Sequence, residues 1–140
     1  MPYVAYNDLL PMIPAHLLLQ AVDDDKDGTA DPGVWDAIAE SASDEVDGYL
    51  GQSYKVPFAS PVPALVSQSA LIFAGEMVYH RRGAFGDSNP FASRAVRIRE
   101  RLERIGRGDE PLTPGTKHQT EAVAVITEPS RLYNKDGMMF

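Results

Sequence analysis

The densest concentration of metal-binding side chains is the run Asp23-Asp24-Asp25-Lys26-Asp27-Gly28-Thr29-Ala30-Asp31. Calcium takes oxygen ligands, and helix–loop–helix calcium sites supply them from loop positions 1, 3, 5, 7 and 9, with glycine at 6 for the sharp turn. Asp23, Asp25, Asp27, the Thr29 carbonyl and Asp31 fall on those positions, and Gly28 on the sixth. Position 12, where a glutamate closes such a site with two oxygens, is Val34. A calcium ion here is therefore expected to bind weakly. The same residues also describe an aspartate-rich turn that caps the next helix through Asp31. Both readings stand on sequence alone, and calcium is the one cofactor the chain suggests.

Catalytic chemistry finds no comparable foothold. His16, His80 and His118 are scattered, and the chain has no cysteine, so neither thiolate catalysis nor a zinc–sulfur site is available. There is no nucleophile elbow and no phosphate loop, since Gly115-Thr116-Lys117 runs in the wrong order, and Gly83 and Gly86 are too sparse for a dinucleotide fingerprint. No spacing fixes two carboxylates into one cleft. The expectation is a protein that is not an enzyme.

The other functional candidate is charge. The net charge of −7 argues against general nucleic-acid binding, which needs a cationic surface. That charge is unevenly placed: residues 1–79 carry twelve acids against two lysines, whereas residues 80–107 carry eight arginines against three acids. Arg94, Arg97, Arg101 and Arg104 recur at helical spacing. They suit a phosphate-binding surface such as that of a DNA-binding regulator, a solvated helix face, or a contact with the acidic first half of another copy. The only interleaved aromatic is Phe91, on the core side, which weakens the nucleic-acid reading. The preferred reading is a subunit interface in which these four arginines meet Asp44 and Asp47. Such head-to-tail contacts close into rings when the rotation permits.

The elements that position these residues are mostly helical. Asn7 caps a short turn stopped by Pro11, and Pro14 opens a helix to about Ala21. Asp31-Pro32 opens a long helix to about Gln52, with Val34, Ile38, Ala42, Val46 and Tyr49 as its buried stripe and Asp36, Glu40, Asp44 and Asp47 off it. A proline-rich link, Val56 to Pro63, leads into a helix to about Arg82 that is apolar on most sides and is expected to be central. Asn89-Pro90 starts the last helix, which buries Phe91, Ala95, Ile98, Leu102 and Ile105 and ends at Gly106 and Gly108. The N-terminus does not resemble a signal peptide, and no apolar stretch approaches the ~20 residues that span a bilayer. The expected fold is mostly α, a compact bundle of about four to five helices over residues 1–108.

Residues 109–140 read differently. Pro111, Pro114 and Gly115 break regular structure, Glu121 to Thr127 alternates like a strand, and the end is apolar. A lone strand needs an edge to pair with. The segment is expected to be an extended arm, forming a strand or hairpin, that docks on a neighbour or partner through Val123, Val125, Ile126, Leu132, Tyr133, Met138, Met139 and Phe140. A hairpin folded back on its own helices satisfies the same residues.

The segment Ala42-Ser43-Asp44-Glu45-Val46-Asp47-Gly48-Tyr49-Leu50-Gly51-Gln52-Ser53-Tyr54, followed by Val56-Pro57-Phe58, resembles the core signature of a Mu-like phage family long described as a domain of unknown function. That pattern joins an aspartate–glycine loop, a helix ending in Asp-Gly-Tyr-Leu, a proline link and an arginine-rich last helix. Asp23 to Gly28, Glu45 to Leu50, Val56 to Pro63 and Arg81 to Arg107 supply these in order, over roughly residues 3–110. The family is similar to head–tail connector proteins, the adaptors of the phage neck. The resemblance implies a helical bundle forming a dodecameric ring at the head–tail junction, with a C-terminal arm reaching the portal protein. It also implies a stopper or tail-terminator protein as the neighbour below, DNA passing through the channel without specific binding, and no membrane partner. The expected location is the virion neck, with the host cytoplasm during assembly. Other readings are a stopper or tail-completion protein and a calcium-dependent binding module.

Overall fold

The computed structural model describes residues 2–112, all helix, turn and loop, with no strand among them. The arm residues Val123, Val125, Ile126, Leu132, Tyr133, Met138, Met139 and Phe140 lie outside the described residues. So does His118. Four α-helices, α1 (Ala15–Val22), α2 (Val34–Leu50), α3 (Ala64–Arg81) and α4 (Ala92–Gly106), are joined by loops and two short 3-10 turns, Tyr6–Leu9 and Gly86–Ser88.

The first turn begins differently from the expectation. Ala5, not Asn7, is the residue before it, and the Asp8 carboxylate accepts the Ala5 N–H at 2.8 Å. The turn drives Leu9 and Ile13 into the core, where both are essentially inaccessible. Pro14 directly precedes α1, its missing N–H costing nothing at a helix start. Leu18, Ala21 and Val22 are the buried face of that helix.

α2 does not start from Asp31. Its cap is Gly33, at φ 84°, a left-handed conformation that a side chain resists. Asp31 closes the preceding loop instead, accepting the Asp24 N–H at 2.7 Å on its carboxylate and the Val34 N–H at 3.4 Å on its carbonyl. The helix ends at Leu50 rather than Gln52, with the Ser53 and Tyr54 N–H groups both folding back onto the Leu50 carbonyl. Leu50, not Tyr49, completes the buried stripe with Ile38, Ala42 and Val46, while Tyr49 and Val34 are only half-buried.

α3 is the central element, packing against α1, α2 and α4. Val66, Ala70, Phe73, Ala74 and Val78 are wholly buried, which is what a helix apolar on most sides requires. Leu71 and Met77 are half-buried at its margins.

Two glycines set how closely the helices approach. A Cβ at Gly75 of α3 would lie 2.7 Å from the Phe91 ring, and one at Gly106 of α4 would collide with the Tyr49 carbonyl at the end of α2. The Ser53 hydroxyl then donates to the Gly106 carbonyl at 2.7 Å, fastening the same junction.

α4 begins one turn of chain after Asn89, with Phe91 as its capping residue. Asn89 is buried and acts beside the helix start: its amide donates to the Glu76 carbonyl at 3.1 Å, and its carbonyl accepts the Phe91 N–H at 2.9 Å. The chain just after α4 is also packed. Leu112 is buried, and its N–H donates at 2.9 Å to the hydroxyl of buried Tyr54.

Candidate functional site

The aspartate loop is folded around its own carboxylates. Asp23, mostly buried, accepts the Asp27 N–H at 3.2 Å and the Gly28 N–H at 2.9 Å. Asp27 accepts both the N–H and the hydroxyl of Thr29 at 2.9 Å. Asp25 accepts the Asp27 N–H at 3.3 Å. Left-handed backbone at Lys26 (φ 60°) and Gly28 (φ 88°) turns the chain tightly enough to do this. One carboxylate oxygen from each of Asp23, Asp25, Asp27 and Asp31 lies within 4.8 Å of the others. Four of the five calcium-loop positions are thus gathered, while Thr29 is placed by its bonds to Asp27 and Val34 brings only a hydrocarbon.

The crowding is visible in the acidities. The Asp25 carboxyl is pushed above the usual carboxylate range, first by its hydrogen bond with the Asp23 side chain and then by desolvation and the Asp31 charge. Asp27 is held below that range by the Thr29 N–H and then by the Thr29 hydroxyl. Outside the ring of acids, Arg81 donates to the Ala21 carbonyl and to Asp24, both at 2.6 Å, tying the loop to the end of α3.

The six charged residues expected at a subunit interface divide into two groups. Arg101 and Arg104 converge on Glu110, at 3.0 and 3.5 Å, and Asp47 accepts the Tyr3 hydroxyl at 2.7 Å. These three have partners within the chain. Arg94, Arg97 and Asp44 are exposed and make no ion pair among the described residues, Arg94 lying 5.3 Å over the Phe91 ring. Asp36 and Glu40 are exposed on α2 beside Asp44.

The Tyr3–Asp47 bond has a measurable consequence. Tyr3 also accepts the Phe58 N–H at 2.9 Å, so one phenol joins the N-terminal strap, α2 and the proline link. Burial, and then the bond to Asp47, raise its pKa from 10.0 to about 12. The folded state therefore holds this proton more tightly than the unfolded chain does. Stability from this group is complete below pH ~10 and is lost as pH rises from there through about 12. Denaturation followed against pH should show that alkaline decline in the natural chain and a flatter one in Tyr3→Phe.

One charged residue of α4 escaped the sequence reading. Arg99 donates at 2.6 Å to Glu45 of α2 and at 2.6 Å to Glu76 of α3, and lies 4.9 Å over the Phe73 ring. Both ion pairs hold its charge more firmly than usual, Glu45 most of all, against the desolvation that opposes them. The signal was its phase, since Arg99 shares a stripe with Ala95, Leu102 and Gly106, unlike the other arginines. His80 stacks on exposed Phe85 at 5.0 Å, and His16 is exposed.

Comparison with protein families matches residues 3–126 to the family described as bacteriophage Mu, Gp36. The chain belongs to the bacteriophage Mu Gp36 family. The match spans the whole described bundle of this Gp36-family chain and runs into the segment beyond Leu112. No curated protein and no solved structure matches it. Among the described residues of this family member, no helix is long and apolar enough to cross a membrane.

Proposed function

We propose that this Gp36-family chain is a structural virion protein that forms a ring at the phage head–tail junction, joins the portal protein to the tail and surrounds the DNA channel. Its proposed work is mechanical, not enzymatic. The observation that carries the reading is membership of a bacteriophage Mu family over residues 3–126. Charge placement supports the ring. Arg94 and Arg97 on α4, and Asp36, Glu40 and Asp44 on α2, remain for contacts outside the chain, and opposite charges on one subunit suit a heterologous interface. Acidic faces left towards a channel would repel phosphate and let DNA pass.

Light scattering and native mass spectrometry of the full chain, alone and with the portal protein, test this. The expected result is a closed oligomer or a stoichiometric complex, and Arg94→Glu with Arg97→Glu should abolish it while leaving helical content and melting behaviour intact. Labelled antibody should mark the neck in micrographs of virions. A chain that stays monomeric with the portal protein and is missing from virions is not a connector.

A second reading, a calcium-dependent binding module, is favoured by the four gathered carboxylates. With no bidentate ligand at Val34, affinity in the millimolar range of weak extracellular-type sites is expected, on the order of 10⁻⁴–10⁻³ M. Calorimetry should detect heat from calcium that Asp25→Ala loses, and no heat at millimolar calcium would remove the reading.

A further inference from the structure

We propose that the groove between Met12, α3 and α4 receives the run Glu121-Ala122-Val123-Ala124-Val125-Ile126-Thr127-Glu128 from a neighbouring copy. The inference rests on the ring reading above and names what one subunit offers the next.

The groove, about 330 Å³, is lined by Leu71, Ile72 and Ile98 with Met12 at one side, and bounded by Gln68, Arg94 and Arg97. Its volume is at the small end for a specific site, room for a few side chains and no more. Met12 is more than a third exposed, and its unbranched thioether adapts to what packs on it. Leu71 stands half-buried and is, with Leu65, Met77 and Tyr79, one of the positions where α3 still has apolar surface to cover. The two rim arginines make no ion pair among the described residues. A fitting occupant is therefore short, apolar and acidic.

Two stretches beyond Leu112 are apolar enough, and charge separates them. Residues 132–140 follow Arg131 and set Lys135 beside Asp136, so their side chains bring no net negative charge to the arginine rim. The run from Glu121 to Glu128 has six uncharged residues bracketed by carboxylates and no basic residue. In an extended chain alternate residues share a face, so Glu121, Val123 and Val125 present one carboxylate followed by two valines. That sequence of groups matches an arginine rim leading onto an apolar floor. Gln68 would offer both a donor and an acceptor to the backbone of an extended occupant. Leu112 is fastened to Tyr54, and the nine residue steps from there to Glu121 reach about 30 Å when extended, about the diameter of a small domain.

A larger groove, about 630 Å³, beside Pro32, Ile38 and Met77, is a poorer receiver. Its guanidinium, Arg81, is already spent on Asp24 and the Ala21 carbonyl.

The chain contains no cysteine, so single cysteines report cleanly. Full-length Gln68→Cys and full-length Val125→Cys, mixed and gently oxidised, should give a cross-linked dimer. The yield should exceed that of Val125→Cys with Glu100→Cys or Ala37→Cys by about fivefold or more, and Arg94→Glu with Arg97→Glu in the Gln68→Cys chain should remove the excess. Adding Glu121→Arg to the Val125→Cys chain should restore part of it. Light scattering on the same samples separates the two ideas. Closed oligomers without preferential cross-linking at residue 68 overturn this assignment and leave the ring standing, whereas monomers throughout remove both. Cross-linking confined to chains carrying both cysteines places the segment in its own groove and overturns the exchange between copies. Retention of a DNA duplex that the two arginine substitutions abolish would assign the rim to phosphate and overturn it as well.

Discussion

Phe73→Ala is expected to cost about 3–5 kcal/mol in a urea or guanidinium denaturation, among the largest losses from any single truncation in the bundle. Phe73 is wholly buried at the middle of α3, the helix that contacts all three of the others. Deleting its ring removes the transfer free energy of a large side chain. It also leaves a cavity that α2 and α4 cannot close, because Gly106 already brings α4 against the Tyr49 carbonyl and Gly75 brings α3 against Phe91. Leu71→Ala is the internal control. Leu71 is two residues away on the same helix but half-buried on the groove, so about half the loss of a buried leucine, ~1–2 kcal/mol, is expected there. Equal losses at the two positions would mean that α3 is not oriented as described.

That contrast shows what hydrophobic pattern conveys and what it leaves out. The apolar content of residues 64–81 was enough to make α3 the central helix. It could not separate Leu71 from Phe73, since a helix apolar nearly all round gives no phase. The amphipathic α4 did give one: Phe91, Ala95, Leu102 and Ile105 are buried as its pattern requires, while Ile98, expected with them, is only half-buried. Helix starts were read less well. Asp31-Pro32 and Asn7 have the composition of caps, yet both side chains or their neighbours found other work: Asp31 closes the aspartate loop, and Asp8 caps the first turn. Aspartate and asparagine bond to whichever backbone N–H is nearest, and sequence spacing does not reveal which one tertiary structure brings close.

Charge was legible in kind and not in pairing. The aspartate loop gathers four carboxylates as its spacing suggests, because a loop of nine residues with left-handed turns at Lys26 and Gly28 has few ways to fold. The α4 arginines are separated by contacts that depend on distant residues: Arg101 and Arg104 turn to Glu110, leaving Arg94 and Arg97 outward. Glu110 sits beyond the helix, and nothing local marks it as their partner. Arg99 was hidden for the opposite reason, one arginine among eight whose distinction is its place on the buried stripe.

Arg99→Ala should therefore destabilise the fold by about 2–4 kcal/mol, between the near-zero value of exposed ion pairs and the larger loss when a buried pair is broken. Its side chain is 32% exposed, but the Glu76 carboxylate it holds is only 10% exposed and the Glu45 carboxylate 26%. Removing the guanidinium leaves two acids facing one space with no cation between them, and the more buried one keeps little contact with water. Arg99→Lys should recover only part of the loss, because an ammonium cannot present the fork that reaches Glu45 and Glu76 at once while lying flat on Phe73. The two glutamates then identify where the free energy resides. In the Arg99→Ala background, Glu76→Gln should restore more stability than Glu45→Gln, since neutralising the deeper carboxylate relieves the larger desolvation. A cycle between Arg99→Ala and Phe73→Leu should show coupling of ~0.5–2 kcal/mol from the cation over the ring. If Arg99→Ala costs less than ~1 kcal/mol, the three helices are held by their apolar faces alone and the cluster is an ordinary surface contact. If it costs as expected, Arg99 joins three helices inside one chain, a role apart from the one proposed for Arg94 and Arg97.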